Sequence, residues 1–246
     1  MPVITYSLDL ANLDNLQKEF LLSLNTVTST INNVRIQRCI LIHNSGSLGD
    51  IKYIGSLDNL SSIRTTIDMN ITSTIWLTSL FLQQLPTLLH HPTNQTKVPS
   101  STESSTDSTS TTTSSSSSTT LPTVIINISS LAAIKPMKSM LLYCLGKAAR
   151  DMLFTGLAAE VENFTIQNTT IPIKTLNYAP GPMDTDMQAE LFNSTTMDPE
   201  MQVIFKGLKT NNVYVPLVAS AAKCARLIAE NKYSSGSHID YYDPEL

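Results

Sequence analysis

Tyr143 and Lys147 stand four residues apart at the start of an apolar helical stretch, and Ser130 lies thirteen residues before Tyr143. One helical turn puts phenol and ammonium on a shared face. A free phenol, with a pKa of about 10, is a poor general acid or base at neutral pH. An ammonium alongside stabilises the phenolate and lowers that value, which suits the pair to protonating a carbonyl oxygen as it gains negative charge. Ser130, at the end of the β-rich run Thr123 to Ile128, is placed to hold the same oxygen.

Positioning such a set takes strands and helices in alternation. Val3 to Ser7 reads as a strand ending in Asp9-Leu10, and Leu13 to Leu24 as a helix with Leu13, Leu16, Phe20 and Leu24 on one face. Cys39 to Ile42 is short and wholly apolar, as in a strand covered on both sides, and it runs into His43-Asn44-Ser45-Gly46. Ile63 to Leu89 reads as one long helix that contains Asn70 and the apolar row Trp76, Leu77, Leu80 and Phe81. Thr123 to Ile128 is the next strand, Leu141 to Val161 the helix bearing Tyr143 and Lys147, and Ile171 to Tyr178 a strand broken by Pro180-Gly181-Pro182. Asp184 to Lys209 reads as a helical flap, Val215 to Glu230 as an amphipathic helix, and His238 to Tyr242 as a last strand. The alternation predicts an α/β fold, a Rossmann-like doubly wound parallel sheet with helices on both faces, in a single domain over residues 1–246.

Acidic residues outnumber basic ones, 20 to 16, which argues against nucleic acid or an anionic membrane as a partner. Cys39, Cys144 and Cys224 are odd in number and set in apolar stretches, as reduced core thiols of a cytoplasmic protein would be. No charged start followed by an apolar run marks a secretory signal in the first residues, and no apolar stretch approaches the ~18 residues of a membrane span. The Asn-x-Ser/Thr triplets at Asn70, Asn94, Asn127 and Asn163 are then by-products of composition. His43, His90, His91 and His238 have no spacing to carboxylates or thiols that would build a metal site, and His90 and His91 read as a solvated helix end.

Between Ser100 and Thr120, 19 of 21 residues are Ser or Thr and the other two are acidic. Such a tract has no apolar surface to offset chain entropy, so a disordered insertion is expected over residues 93–122.

Asn127-Ile-Ser-Ser-Leu131 leads into the pair, Tyr143-Cys-Leu-Gly-Lys-Ala-Ala-Arg-Asp-Met-Leu-Phe154 carries it, and Asn177-Tyr-Ala-Pro-Gly-Pro-Met-Asp-Thr-Asp-Met187 follows the next strand. Together these resemble the short-chain dehydrogenase/reductase family. Leu41-Ile-His-Asn-Ser-Gly-Ser-Leu-Gly-Asp50 and Ser235-Gly-Ser-His-Ile-Asp-Tyr-Tyr-Asp243 are similar to its pterin-reducing members, those of tetrahydrobiopterin biosynthesis. The resemblance implies an NADP(H)-dependent carbonyl reductase in which Tyr143 donates the proton, Lys147 lowers the tyrosine pKa and binds the nicotinamide ribose, Ser130 fixes the carbonyl, and Asn70 supports a relay water. It implies cofactor contacts at Asp9 and Leu10, at the turn Asn44, Ser45 and Gly46, and at Pro180, Met183, Asp184, Thr185, Asp186, Met187 and Gln188 besides Tyr143 and Lys147. Ser45 replaces the usual alanine of that turn and His43 the usual first asparagine. Substrate would meet Ser130, Leu131, Tyr143 and Gly181, with Asp240 pairing to the amino and N–H donors of a pterin ring. The family pairs through the helices holding Trp76 to Phe81 and Met152 to Leu157, which implies a homodimer. The alternatives are a related reductase of other vicinal dicarbonyls, or a non-catalytic partner subunit.

The second alternative arises because the first glycine in the chain is Gly46. Dinucleotide-binding folds place a glycine-rich turn after their first strand, where helix N-terminal amides bind pyrophosphate. Val3 to Leu10 resembles instead the third strand of the family's 3-2-1-4-5-6-7 sheet, so two strands and the phosphate turn have no counterpart. Either Cys39 to Ile42 is then an exposed apolar edge, or Val3 to Ser7 pairs directly with it.

Overall fold

A computed structural model describes residues 5–30, 36–89, 121–166 and 169–245. Val3, Ile4, His90, His91, Asn94 and the Ser/Thr tract to Thr120 lie outside the described residues.

Among the described residues four parallel strands form the sheet, in the order β1 (Ile40–His43), β2 (Thr123–Ile128), β5 (Ile173–Ala179), β6 (His238–Asp240). Its register is continuous: His43 pairs with Asn127, Asn127 with Asn177, and Asn177 with His238. A two-stranded hairpin, β3 (Thr165–Ile166) with β4 (Thr169–Thr170), lies apart from it. The long α-helices α1 (Leu13–Thr30), α3 (Ser73–Leu89), α4 (Leu141–Glu160) and α7 (Leu217–Glu230) flank the sheet. Successive strand residues face opposite sides, and β2 exploits this fully. Ile125 joins Leu16, Phe20, Leu77, Leu80, Leu85 and Phe154 in one core, while Val124 and Ile126 join Leu176, Tyr178, Cys224 and Leu227 in the other. Each such side chain contributes roughly 1.5–3 kcal/mol by leaving water, which is why a strand covered on both sides reads as an unbroken apolar run.

Among the described residues β1 pairs with β2 alone, and its outward Ile40 and Ile42 are 46% and 51% exposed. Among the described residues β1 is therefore an edge strand, and its exposed Ile40 and Ile42 correct the reading of Cys39 to Ile42 as a strand covered on both sides. Thr5 to Asp9 carry no strand, which corrects the strand read over Val3 to Ser7 in its described part. Asp9 opens α1 through a turn, its Oδ1 accepting the Ala11 N–H at 3.0 Å.

The helix read over Ile63 to Leu89 is three segments: α2 (Leu60–Ile67), a π-helical turn (Asp68–Thr72) and α3. Here Ser73 Oγ donates to the Met69 carbonyl at 2.7 Å and Thr74 Oγ1 to the Asn70 carbonyl at 3.2 Å. Local hydroxyl bonds of this kind compete with the regular ladder, and π-turns recur at functional sites.

The flap also divides, into α5 (Asp186–Asn193) and α6 (Pro199–Thr210). Asp198 caps α6, accepting from the N–H groups of Glu200 and Met201, and Pro199 fits its first turn but would break a helix interior. Thr196 Oγ1 donates to the Ile51 carbonyl at 2.6 Å and Tyr53 to the Asp198 carboxylate, so the break is fastened to the segment after β1. The last strand stops at Asp240, because Lys223 Nζ gathers the carbonyls of Asp240, Tyr241 and Asp243 into a turn.

The three thiols are free, and burial pushes Cys39 and Cys224 up to about 11. No helix among the described residues is long and apolar enough to cross a membrane.

Candidate active site

Parallel strands bring all their carboxyl ends to one edge, and crevices at that edge are where such sheets bind ligands. The edge is formed by His43, Ile128, Ala179 and Asp240 and by the segments that follow them.

Ser130 leaves β2 in extended conformation and caps a 3-10 turn beginning at Leu131, its Oγ accepting the Ala132 N–H at 3.1 Å. The same side chain faces the phenol of Tyr143, which projects from the first turn of α4 and packs against the apolar cluster that holds Leu48, Ile51, Met140 and the flap residue Met197. One turn on, Lys147 Nζ donates to the Ile128 carbonyl at 2.7 Å and lies 5.7 Å from the centre of the Tyr143 ring. Asn70, in the π-turn, bonds both backbone groups of Ser47: Oδ1 accepts its N–H and Nδ2 donates to its carbonyl, each at 2.9 Å. A β-carbon added to Gly46 would meet Asn70 Oδ1 at 3.4 Å and Lys147 Nζ at 3.8 Å. The fold thus brings Ser130, Tyr143, Lys147, Asn70 and the Gly46 turn together.

The electrostatics differ from the expectation in one respect. Burial raises the Tyr143 pKa, and what opposes it is the Ser130 hydrogen bond followed by the charge of Arg150. Lys147 is not the cation that lowers the phenol; burial, then Arg150, hold its own pKa down at about 7 against the pull of Asp151. The reason is geometric, since the Lys147 ammonium turns to the Ile128 carbonyl.

The other expected residues fall as follows. Asn44 and Ser45 are exposed at the end of β1, with the Ser45 carbonyl accepting from Arg150. Pro180 accepts from Ser220 Oγ, and Gly181 has φ +76 with Val215 Cγ2 2.7 Å from where a β-carbon would sit, so both conformation and space require glycine. Met183, Asp184 and Thr185 form the connection into α5, Asp186 is in its first turn, and Gln188 Oε1 is buried with no hydrogen-bond partner. Leu131 is exposed. Asp240 lies level with Ala179, its Oδ1 accepting the Tyr242 N–H at 2.9 Å. Asp9 and Leu10 lie at the start of α1, where Leu10 packs against the core shared by Leu16 and Phe20.

Sequence reasoning missed Arg150, which the structure buries beneath the site, and its partly buried neighbour Asp151. Their signal was an adjacent cation and anion inside an apolar helix, facing an asparagine, Asn127, inside an apolar strand.

Residues 112–196 match the model of the short chain dehydrogenase family. The fold agrees: the chain superposes on a short-chain dehydrogenase/reductase from Saccharomyces cerevisiae with a TM-score of 0.68, at 20% identity over 97% of this chain and 76% of that one. A 3-oxoacyl-acyl-carrier-protein reductase from Brucella melitensis, in complex with NAD, gives 0.63 at 18% identity over 96% and 75%. In matched residues and in fold the chain is similar to the short-chain dehydrogenase/reductase family. The chain is 35% identical to the sepiapterin reductase of Bos taurus over 209 residues, 85% of this chain and 63% of that protein. It is 32% identical to that of Xenopus tropicalis, over 84% and 64%. Identity to a benzil reductase of Bacillus subtilis is 27%, over 78% and 63%. The chain thus spans less than two thirds of the length of these curated relatives.

A nicotinamide cofactor, which the family implies, fits these residues at one end. Lys147 Nζ and the Asn70 amide converge on the Gly46 turn, where they would hold a ribose, and Gln188 Oε1 is a buried acceptor without a partner that could take a carboxamide N–H. With no glycine before Gly46, the residues present do not supply the pyrophosphate turn.

Proposed function

We propose that this chain carries the chemistry of an NADPH-dependent carbonyl reductase acting on side-chain keto groups of 6-pyruvoyl-tetrahydropterin or sepiapterin, in tetrahydrobiopterin biosynthesis. The observation that carries the reading is the Tyr143 phenol facing Ser130, with Lys147 one turn behind it. The phenol is protonated at neutral pH, as a proton donor must be; burial makes it a weaker acid, and Ser130 and the charge of Arg150 work against that. Ser130 orients the carbonyl oxygen against Tyr143 Oη, and that proton passes to the oxygen as the C=O π bond opens. The phenolate left behind faces Arg150, whose charge offsets it. A bound reduced nicotinamide supplies the hydride that the carbonyl carbon receives. Asp240 spends one carboxylate oxygen on the Tyr242 N–H, which leaves the other for ring N–H donors.

The likeness to benzil reductase favours a second reading, reduction of other vicinal dicarbonyls with Asp240 unused. We place the protein in the cytoplasm, where its free thiols stay reduced, and pair it with a second copy through α3 and α4, whose Ile75, Trp76, Leu141, Leu145 and Met152 are exposed. The test is NADPH binding and turnover by the purified chain. Tyr143→Phe should lower kcat at least about a hundredfold, and undiminished turnover would refute the assignment. Asp240→Ala should abolish pterin turnover and spare dicarbonyls; equal loss of both favours neither substrate. Absence of NADPH binding at micromolar concentrations makes the chain a non-catalytic partner.

A further inference from the structure

Three residues after Lys147, α4 carries two consecutive charges, the first buried and the second partly buried. Arg150 is 1% exposed, and its guanidinium makes three bonds: Nε to Asn127 Oδ1 at 2.8 Å, Nη1 to the Ser45 carbonyl at 2.7 Å and Nη2 to the His43 carbonyl at 2.6 Å. Asp151 accepts from Asn127 Nδ2 at 2.9 Å, Ser129 Oγ at 2.5 Å and His238 Nδ1 at 2.6 Å. His43, Asn127, Asn177 and His238 are the register partners that cross the whole sheet on one level. Two adjacent helix residues therefore tie the strands together just below the catalytic turns.

A buried ion is expensive to desolvate, and apolar side chains of similar volume brace a core at least as well. What an apolar brace lacks is a charge at this place. A β-carbon added to Gly46 would stand 3.8 Å from Arg150 Nη1, 3.8 Å from Lys147 Nζ and 3.4 Å from Asn70 Oδ1, so guanidinium, ammonium and amide converge on one turn.

We propose that Arg150 is a positioning residue, locking the Asn44–Gly46 turn to β2 with its N–H groups and holding a buried positive charge beside Lys147 and Tyr143. Lys147 is faced by Tyr143, Arg150 and Asp151 on its own helix, by Asn70 from the π-turn and by the Ile128 carbonyl from β2. Arg150 is faced by His43 and Ser45 from β1 and its turn, Asn127 from β2, and Tyr143 and Asp151 from α4, with His238 of β6 behind Asp151. Its charge works in the same direction on both titrating neighbours, lowering the affinity of Lys147 and of Tyr143 for a proton.

The catalytic meaning of this role rests on the carbonyl-reductase reading, but its test needs no cofactor, so failure of either leaves the other standing. The titration of Lys147 is followed by NMR of isotope-labelled lysine in the cofactor-free chain, and amide exchange is followed over residues 44–47. Arg150→Met should raise the Lys147 midpoint by about one pH unit, because the repelling charge is gone. A midpoint that stays or falls overturns the proposal. Should the methionine variant not fold, Arg150→Lys decides: it keeps a charge but not the planar fork, so faster exchange over 44–47 is expected, and exchange equal to the parent's overturns the locking role.

Discussion

A β-carbon added to Gly146 would stand 3.1 Å from Asn70 Cβ and 3.2 Å from its Nδ2. The Asn70 side chain lies directly against the α4 backbone here, and its amide is aimed at Ser47.

Gly146→Ala should therefore push the π-turn away from α4. Overpacking of a close contact costs typically ~1–3 kcal/mol, more than alanine returns through helix propensity. Thermal denaturation should show a clear fall in Tm. An unchanged or higher Tm means the contact is slack.

Asn70→Ala leaves the Ser47 N–H and carbonyl without their partner beneath the site, at a cost of about 1–3 kcal/mol. Asn70→Asp should not rescue it at neutral pH, because a carboxylate has no donor for the Ser47 carbonyl. Denaturant unfolding of the two variants checks this, and an aspartate variant as stable as the parent would contradict it.

His43 carries a pH signature. Burial first, and then Arg150, lower its pKa from 6.5 to about 3, and the neutral ring is hydrogen-bonded to Thr78 Oγ1 at 3.0 Å. Between those values the unfolded chain binds the extra proton and the folded one does not, so this contribution to stability is complete above 6.5 and is lost as pH falls toward 3. His43→Asn removes the titrating group, and its stability should decline less steeply across that window. Denaturant midpoints at a series of pH values would show two parallel curves if the argument is wrong.

Lys223 binds the carbonyls of Asp240, Tyr241 and Asp243 at 3.2, 2.9 and 2.6 Å. Lys223→Met frees the turn that presents Asp240. If Asp240 anchors a pterin, KM should rise severalfold while kcat changes little, since Tyr143 belongs to another element. A fall in kcat alone, with KM unchanged, would remove Lys223 from substrate positioning.

Much of the site was legible because its signals are local. The β2 strand was read residue for residue from an apolar run, and the one-turn spacing of Tyr143 and Lys147 fixed their shared face before any packing was known. The single helix read over Ile63 to Leu89 and the unbroken flap were not, because a π-turn around Asn70 and the cap at Asp198 depend on hydroxyl and carboxylate bonds that apolar periodicity does not register.

The sequence by itself determined which groups exist and which ones a helix turn or a strand end must place side by side: the phenol, the ammonium and the serine before them. Only the tertiary structure decided their charge states. Arg150 reaches residues more than a hundred positions away, and burial sets Lys147 near neutrality, because desolvation and Coulomb interactions depend on distance through space, which spacing along the chain does not encode.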